Sequence, residues 1–156
     1  MQSGIFGCPE EWRNILPPGV RRIRTAEEVA AVPWNLLVLT PDSLSGIRGG
    51  SCRILLAPGD GEVRFLRRIH ADHVITYGLS LRDSLTLSSL EKPTLCIQRN
   101  LPGADGSIIE PQEVPLPPML LPAAEYLPLF GMYLLQKPLT DRILSDKINK
   151  NWREDI

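Results

Sequence analysis

Two glycine-bounded turns hold the residues of this sequence best suited to chemistry. Gly59-Asp60-Gly61 and the run over residues 78–83 each follow a short apolar stretch. If those stretches are parallel strands, both turns lie at their carboxyl ends, where open α/β sheets bind ligands. Arg82 could then hold an anion and Asp83 could orient it. Gly59, Asp60, Gly61, Gly78 and Ser80 would complete that edge. The plainer reading of Arg82 and Asp83 is a solvated ion pair, which stabilises little.

Other groupings are weaker. His70 and His73 flank Asp72 at a spacing that would suit a metal or a base on a helix face. Two imidazoles are too few for a closed zinc site, and the helix should be ending by Asp72, so structural or surface roles are expected. A nucleophilic serine would need an elbow such as G-x-S-x-G, and none occurs. Ser80, Ser84, Ser88 and Ser89 read instead as turn and exposed-strand positions. The loop over residues 45–51 (SGIRGGS) offers free amides and Arg48 to a phosphate. A strand rather than a helix follows Gly50, which favours a flexible connection. Asp60 places a carboxylate where a phosphate would sit, and it reads as a helix N-cap. No metal and no cofactor is implied.

Residues 52–90 must position these groups. Residues 54–57 form a short apolar run stopped by Pro58-Gly59, the mark of a buried parallel strand. Val63, Leu66 and Ile69 recur at helical spacing, with Arg64, Arg67 and Arg68 mostly off that face. Residues 74–77 read as the second strand, closed by Gly78. A crossover helix between them makes the strands parallel and the connection right-handed. His70 and His73 then belong to the opposite edge.

Within this unit, His73-Val-Ile-Thr-Tyr-Gly-Leu-Ser resembles a phrase near the end of the central ATPase domain of Mur ligases. There a strand of the type V-[IL]-T-Y-G leads into a short loop and a further strand. No G-x-x-x-x-G-K-[ST] loop occurs in the chain, so that family's phosphate cradle is missing and no catalytic residue carries over. The resemblance implies a Rossmann-like half-domain without ligase activity.

Elsewhere the chain alternates strands and turns. Trp12, Ile15 and Leu16 suggest one amphipathic turn. Thr25 and Glu28 form a capping box for a short helix ending near Ala31, before Pro33. Residues 35–40 (NLLVLT) are a strong strand candidate. Residues 84–90 alternate as a half-exposed strand, and residues 94–101 form another, with Leu95 and Ile97 on one face. Residues 102–106 are a turn cluster, and residues 107–110 return as a hairpin arm. Residues 111–118 (PQEVPLPP) cannot sit in a central strand. They are expected as a stiff polyproline II connector, or as a ligand for a proline-binding module. Residues 123–135 read as an apolar helix interrupted at Pro128, and residues 140–152 as an amphipathic one ending at Trp152.

The 156 residues suit one domain, with 43% hydrophobic and 22% charged residues and a formal net charge of −1. No basic excess points to nucleic acid. Three cysteines, far apart and without C-x-x-C spacing, argue against a disulfide framework. No signal-peptide pattern opens the chain, and its apolar segments are too broken to span a bilayer. A cytoplasmic location is expected. The fold expected is a small Rossmann-like α/β domain of two or three layers, with a mixed, partly parallel sheet over residues 1–118. A C-terminal helical segment, residues 119–156, packs on it or mediates association. With no catalytic motif, the first functional expectation is a non-catalytic domain that binds a protein partner or self-associates through residues 119–156. The alternative is a small-ligand or nucleotide-binding domain that uses the carboxyl edge of its parallel strands.

Overall fold

The computed structural model describes residues 1–89, 92–116 and 123–136. Its strands are β1 (Gln2–Phe6), β2 (Val20–Ile23), β3 (Pro33–Leu39), β4 (Gly50–Pro58), β5 (Ile69–Tyr77), β6 (Leu85–Leu87), β7 (Thr94–Ile97), β8 (Leu101–Pro102), β9 (Ile108–Ile109) and β10 (Gln112–Pro115). The helices are α1 (Ala26–Ala31), α2 (Val63–Leu66) and α3 (Leu127–Gln136). Eight strands form a mixed sheet in the order β10-β7-β6-β5-β4-β3-β1-β2, and β8-β9 is a separate hairpin. From β2 to β6 all neighbours are parallel, whereas β6-β7 and β7-β10 are antiparallel.

The centre of this sheet is buried on both sides. In β3, Leu36 and Val38 join one hydrophobic cluster, while Leu37 and Leu39 join the other. In β4, Ile54 and Leu56 separate from Leu55 and Ala57 in the same way. This is why both strands read as continuous apolar runs rather than alternating ones. Each fully buried side chain of this kind contributes about 1.5–3 kcal/mol by leaving water. The first face is covered by α3, by Trp12 and Ile15, and by Leu101 and Ile109 of the hairpin. The second is covered by Val29 of α1, by Leu44 and Ile47 around the 3-10 turn Pro41–Gly46, and by Phe65 and Leu66 of α2.

The strand order reverses between β1 and β3. The chain moves from β1 outward to β2 across the α3 face, then returns to β3 and advances through β4 and β5 across the other face. Direction and face change together, so every crossover keeps one hand.

Several expectations change. The crossover after β4 holds a single helical turn, because β4 and β5 are immediate neighbours and only ten residues, 59–68, connect them. Phe65 and Leu66 face the core, Val63 stays 59% exposed, and Ile69 already belongs to β5. The N-cap is Glu62, without a side-chain cap, so Asp60 does not cap the helix. At α1, Thr25 Oγ1 accepts from the Glu28 amide at 3.2 Å, but the Glu28 carboxylate turns to Arg21 at 3.3 Å. Residues 112–115 form the edge strand β10 instead of a polyproline connector, an edge being where sheet prolines are tolerated. Leu85 and Thr86 are both buried, so β6 is not half-exposed. The expected helix over 123–135 divides into a 3-10 turn, Ala123–Tyr126, and α3; Pro128 sits in the first turn of α3, where a missing amide costs nothing. The expected helix over 140–152 lies outside the described residues, as does the rest of 137–156.

The N-terminal strands were not expected. β1 is the polar-looking QSGIF, and Gly4 fits there because Ile23 and Trp34 lie across it. A Cβ at Gly4 would come within 2.7 Å of Ile23 Cδ1 and 2.8 Å of a Trp34 ring carbon. The ladder also breaks at Asn35 and Arg53. Trp34 and Cys52 belong to the second cluster, yet Leu36 and Ile54, two residues on, belong to the first. At this switch Arg53 Nε donates to Asn35 Oδ1 at 2.8 Å. The Arg53 guanidinium also donates to the Gly103 and Ala104 carbonyls at 3.0 and 2.7 Å, and Asn35 Nδ2 donates to Ala104 O at 3.0 Å. The Ala104 amide in turn donates to the Leu135 carbonyl near the end of α3.

The closeness of α3 to the sheet is testable at Gly131. A Cβ there would lie 2.8 Å from Leu56 Cδ2 and 3.0 Å from Leu85 Cδ1. Gly131→Val should destabilise the fold by about 1–3 kcal/mol through overpacking, measured by chemical denaturation, despite valine's better helix propensity.

Candidate functional site

The parallel pairing of β4 and β5 carries the register Pro58↔Tyr77. Gly59-Asp60-Gly61 and residues 78–83 therefore leave adjacent strand ends at the carboxyl edge. There the residues diverge. Asp83 is 5% exposed, and its carboxylate lies directly over Gly59 and Gly78, so a Cβ at either glycine would run into it. Asp83 Oδ2 accepts from the Ser80 amide at 3.1 Å. Its backbone carbonyl accepts from Gln98 Nε2 at 2.7 Å. Asp83 thus closes the crevice between β4 and β5 like a latch. Arg82 is exposed and has no ion pair with Asp83; its carbonyl accepts from Arg99 at 2.9 Å, and its amide donates to Ser80 Oγ at 3.1 Å.

Asp60 and Gly61 instead line a cavity of about 350 Å³ with Pro41, Leu44, Ser45 and Phe65, beyond the ends of β3 and β4. The Gly59 amide donates to Tyr77 O at 2.9 Å and the Gly61 amide to Pro58 O at 3.2 Å, which folds the turn back on the strands. Beneath it the Tyr77 hydroxyl donates to Leu39 O at 2.7 Å. Burial, helped by the charge of Asp60, pushes that hydroxyl's pKa up.

His70 is exposed at the opposite edge, at the start of β5 and across from Ser51; His73 is also exposed but lies in the middle of β5, across from Ile54, and not at that edge as expected, because β5 begins at Ile69. No group of three or more His, Cys, Asp or Glu side chains able to hold a metal occurs among the described residues. The glycine-rich loop runs straight into β4, with Arg48 exposed.

A second cavity, of about 430 Å³, opens at the carboxyl ends of β1 and β2. Arg13, Arg22 and Arg24 line it with Gly7, Cys8 and Glu10. Glu10 bridges two of the guanidiniums: Oε2 lies 2.8 Å from Arg22 and Oε1 3.3 Å from Arg13. The Arg22 hydrogen bond and charge hold the Glu10 carboxyl below its ordinary value, and Glu10 raises Arg22 in return. Burial pushes the Cys8 thiol up, partly offset by Arg22. At the β1/β3 reversal itself, Thr40 and Ser43 pack on Gly7, whose φ of +84° suits glycine. Thr40 Oγ1 donates to Gly7 O at 2.9 Å, and Ser43 Oγ donates to Thr40 O at 2.8 Å. The reversal is thus filled by side chains, with one cavity on each side of it.

Sequence reasoning missed the arginine cavity because β1 and β2 were unread. The signal present was the basic run VRRIR, residues 20–24, whose Arg22 and Arg24 are two apart and so project to one side of an extended chain. No family model, curated protein or solved structure matches the chain.

Three outcomes follow from this geometry. Gly59→Ala should cost about 1–3 kcal/mol by driving a Cβ into the Asp83 carboxylate. The same change should cost less in an Asp83→Ala background, a coupling that a double-mutant cycle measures. Glu10 has a folded pKa below its ordinary 4.5. Its pairing therefore stabilises the fold above that range, and the contribution is lost as pH falls through the lowered value. Glu10→Gln should flatten the acid limb of the stability curve, followed by denaturation midpoints against pH. Burial, with Asp72 as a smaller cause, pushes the Cys52 thiol up to about 12. Iodoacetamide should modify Cys52 only on unfolding, as read by mass spectrometry with and without denaturant.

Proposed function

We propose that this chain is a small-ligand-binding α/β domain of Rossmann-like type, with its binding surface at the carboxyl edge of the parallel strands. The observation that carries this reading is the position of the two cavities. Each opens beyond the carboxyl ends of a neighbouring strand pair, one on either side of the point where the strand order reverses. Open α/β sheets bind ligands in that region because strand ends leave backbone groups and loop side chains around a concave edge. The volumes, about 430 and 350 Å³, are those of small-molecule sites.

The competing reading, association through residues 119–156, gains no support from the described part of that segment. Leu127 to Leu135 are all buried against the chain's own sheet and N-terminal turn. Trp12 stacks on Tyr126 at 5.9 Å, and Tyr133 donates to Ile15 O at 2.6 Å. The likeness of residues 73–80 to the Mur-ligase phrase enters only as that of a Rossmann-like half-domain. No helix among the described residues is long and apolar enough to cross a membrane. The cysteines are unpaired, in keeping with a reducing compartment such as the cytoplasm.

A thermal-shift screen of small metabolites, with hits mapped by amide chemical shifts on the full chain, tests the proposal. Hits should perturb Gly7 and Ile23, or Ser45 and Gly61, at the carboxyl edge. Hits that map only to β10 or to the amino edge around Gly49 would rule it out.

A further inference from the structure

The arginine cavity has a charge imbalance that selects a ligand class. Three guanidiniums and one carboxylate line it, so two positive charges are left over. Arg24 has no ion pair among the described residues, while Arg13 and Arg22 share Glu10. The two oxygens of Glu10 each meet a different guanidinium, which is how an oxyanion ligand is clamped between arginines. Here the clamp is occupied from within the chain. Glu10 belongs to the one-turn 3-10 helix Glu10–Trp12, and its side chain is 67% exposed, so it can swing out without disturbing the core. A monocarboxylate would only replace one such group with another. A dianion brings the arginines more charge than the carboxylate it displaces. Phe6 and Ile23 supply apolar wall beside the charges, which leaves room for a small organic body.

We propose that this cavity binds the dianionic head of a phosphate monoester, held by Arg13, Arg22 and Arg24, with Glu10 as a tethered carboxylate that occupies the arginine pair when the ligand is absent. The inference rests on the carboxyl-edge reading above and adds the ligand class and a built-in competitor. It follows that removing Glu10 strengthens binding, whereas removing an arginine weakens it. A surface ion network without ligand function has no such asymmetry.

The test is an amide-shift titration of the full chain with sodium phosphate and then with a nucleoside 5′-monophosphate. It is run at about pH 8, where the phosphate monoester is a dianion, against sodium chloride at matched ionic strength. Saturable shifts are expected at Gly7, Cys8, Arg22 and Arg24 with phosphate and not with chloride. Arg22→Gln should weaken binding by about tenfold or more, and so should Arg24→Gln, which breaks no ion pair among the described residues and guards against a folding defect at Arg22. Glu10→Gln should tighten binding several-fold. Glu113→Gln, an equal change of net charge on the distant strand β10, should leave it unchanged. Tighter binding of the nucleotide assigns an organic phosphate, and equal binding assigns the free anion; either upholds phosphate recognition. Absence of saturable shifts with both probes, or equal tightening by Glu10→Gln and Glu113→Gln, overturns the inference. If library hits shift Ser45 and Gly61 while phosphate shifts nothing, this inference falls and the carboxyl-edge reading stands.

Discussion

The apolar sides of β3 and β4 must both leave water, and that requirement organises the rest of the molecule. A parallel strand with side chains such as Leu36, Leu37, Val38 and Leu39 has no face to give to solvent. A layer is needed above and another below. The chain supplies α3 and the N-terminal turn on one side, and α1, the 3-10 turn and α2 on the other. The supply is uneven. α1 and α2 have only six and four residues, so most of the second layer is turns pinned by single apolar side chains. α3 is the long helix of the described residues, and its burial on all sides follows from lying between the sheet and the Trp12 turn.

The same architecture explains why the carboxyl edge is partly sealed and partly open. The parallel strands β1 to β5 all end at this edge, and their last carbonyls and the following amides need partners. Between β4 and β5 the gap is closed by Asp83, whose carboxylate fits only because Gly59 and Gly78 have no Cβ. Between β1 and β3 it is closed by Thr40 and Ser43 over Gly7. Among the described residues no further strand follows beyond β2, and the outermost position is occupied by long charged side chains rather than by packed backbone. Guanidiniums gathered there repel one another unless a carboxylate or a ligand lies between them, and Glu10 is the carboxylate present.

The polar pair Asn35 and Arg53 plays a comparable part at the other end of the sheet. The break in the β3–β4 ladder at this pair turns Trp34 and Cys52 to one face and Leu36 and Ile54 to the other. The donors exposed by that switch are used to hold Gly103 and Ala104. A buried tryptophan can therefore cover Gly4 on one side while the hairpin docks on the other.

What the sequence determined by itself was whatever depends on neighbouring residues. The runs LLVL and ILLA mark doubly buried strands, Thr25 marks a helix start, and Pro58-Gly59 and Tyr77-Gly78 mark strand ends, because each signal is a local pattern of burial or backbone freedom. The parallel pairing of β4 with β5 followed from the presence of a crossover, although its helix shrank to one turn. Only the tertiary structure decided that QSGIF is a strand, since its fitness there comes from Ile23 and Trp34 rather than from its own composition. Only the tertiary structure set the Asp83 carboxylate as a latch over Gly59 and Gly78, and brought Arg13, Arg22 and Arg24 around one carboxylate. Strand order and register set those meetings, and both depend on contacts between segments distant in the chain, which no local pattern of apolar and polar residues encodes.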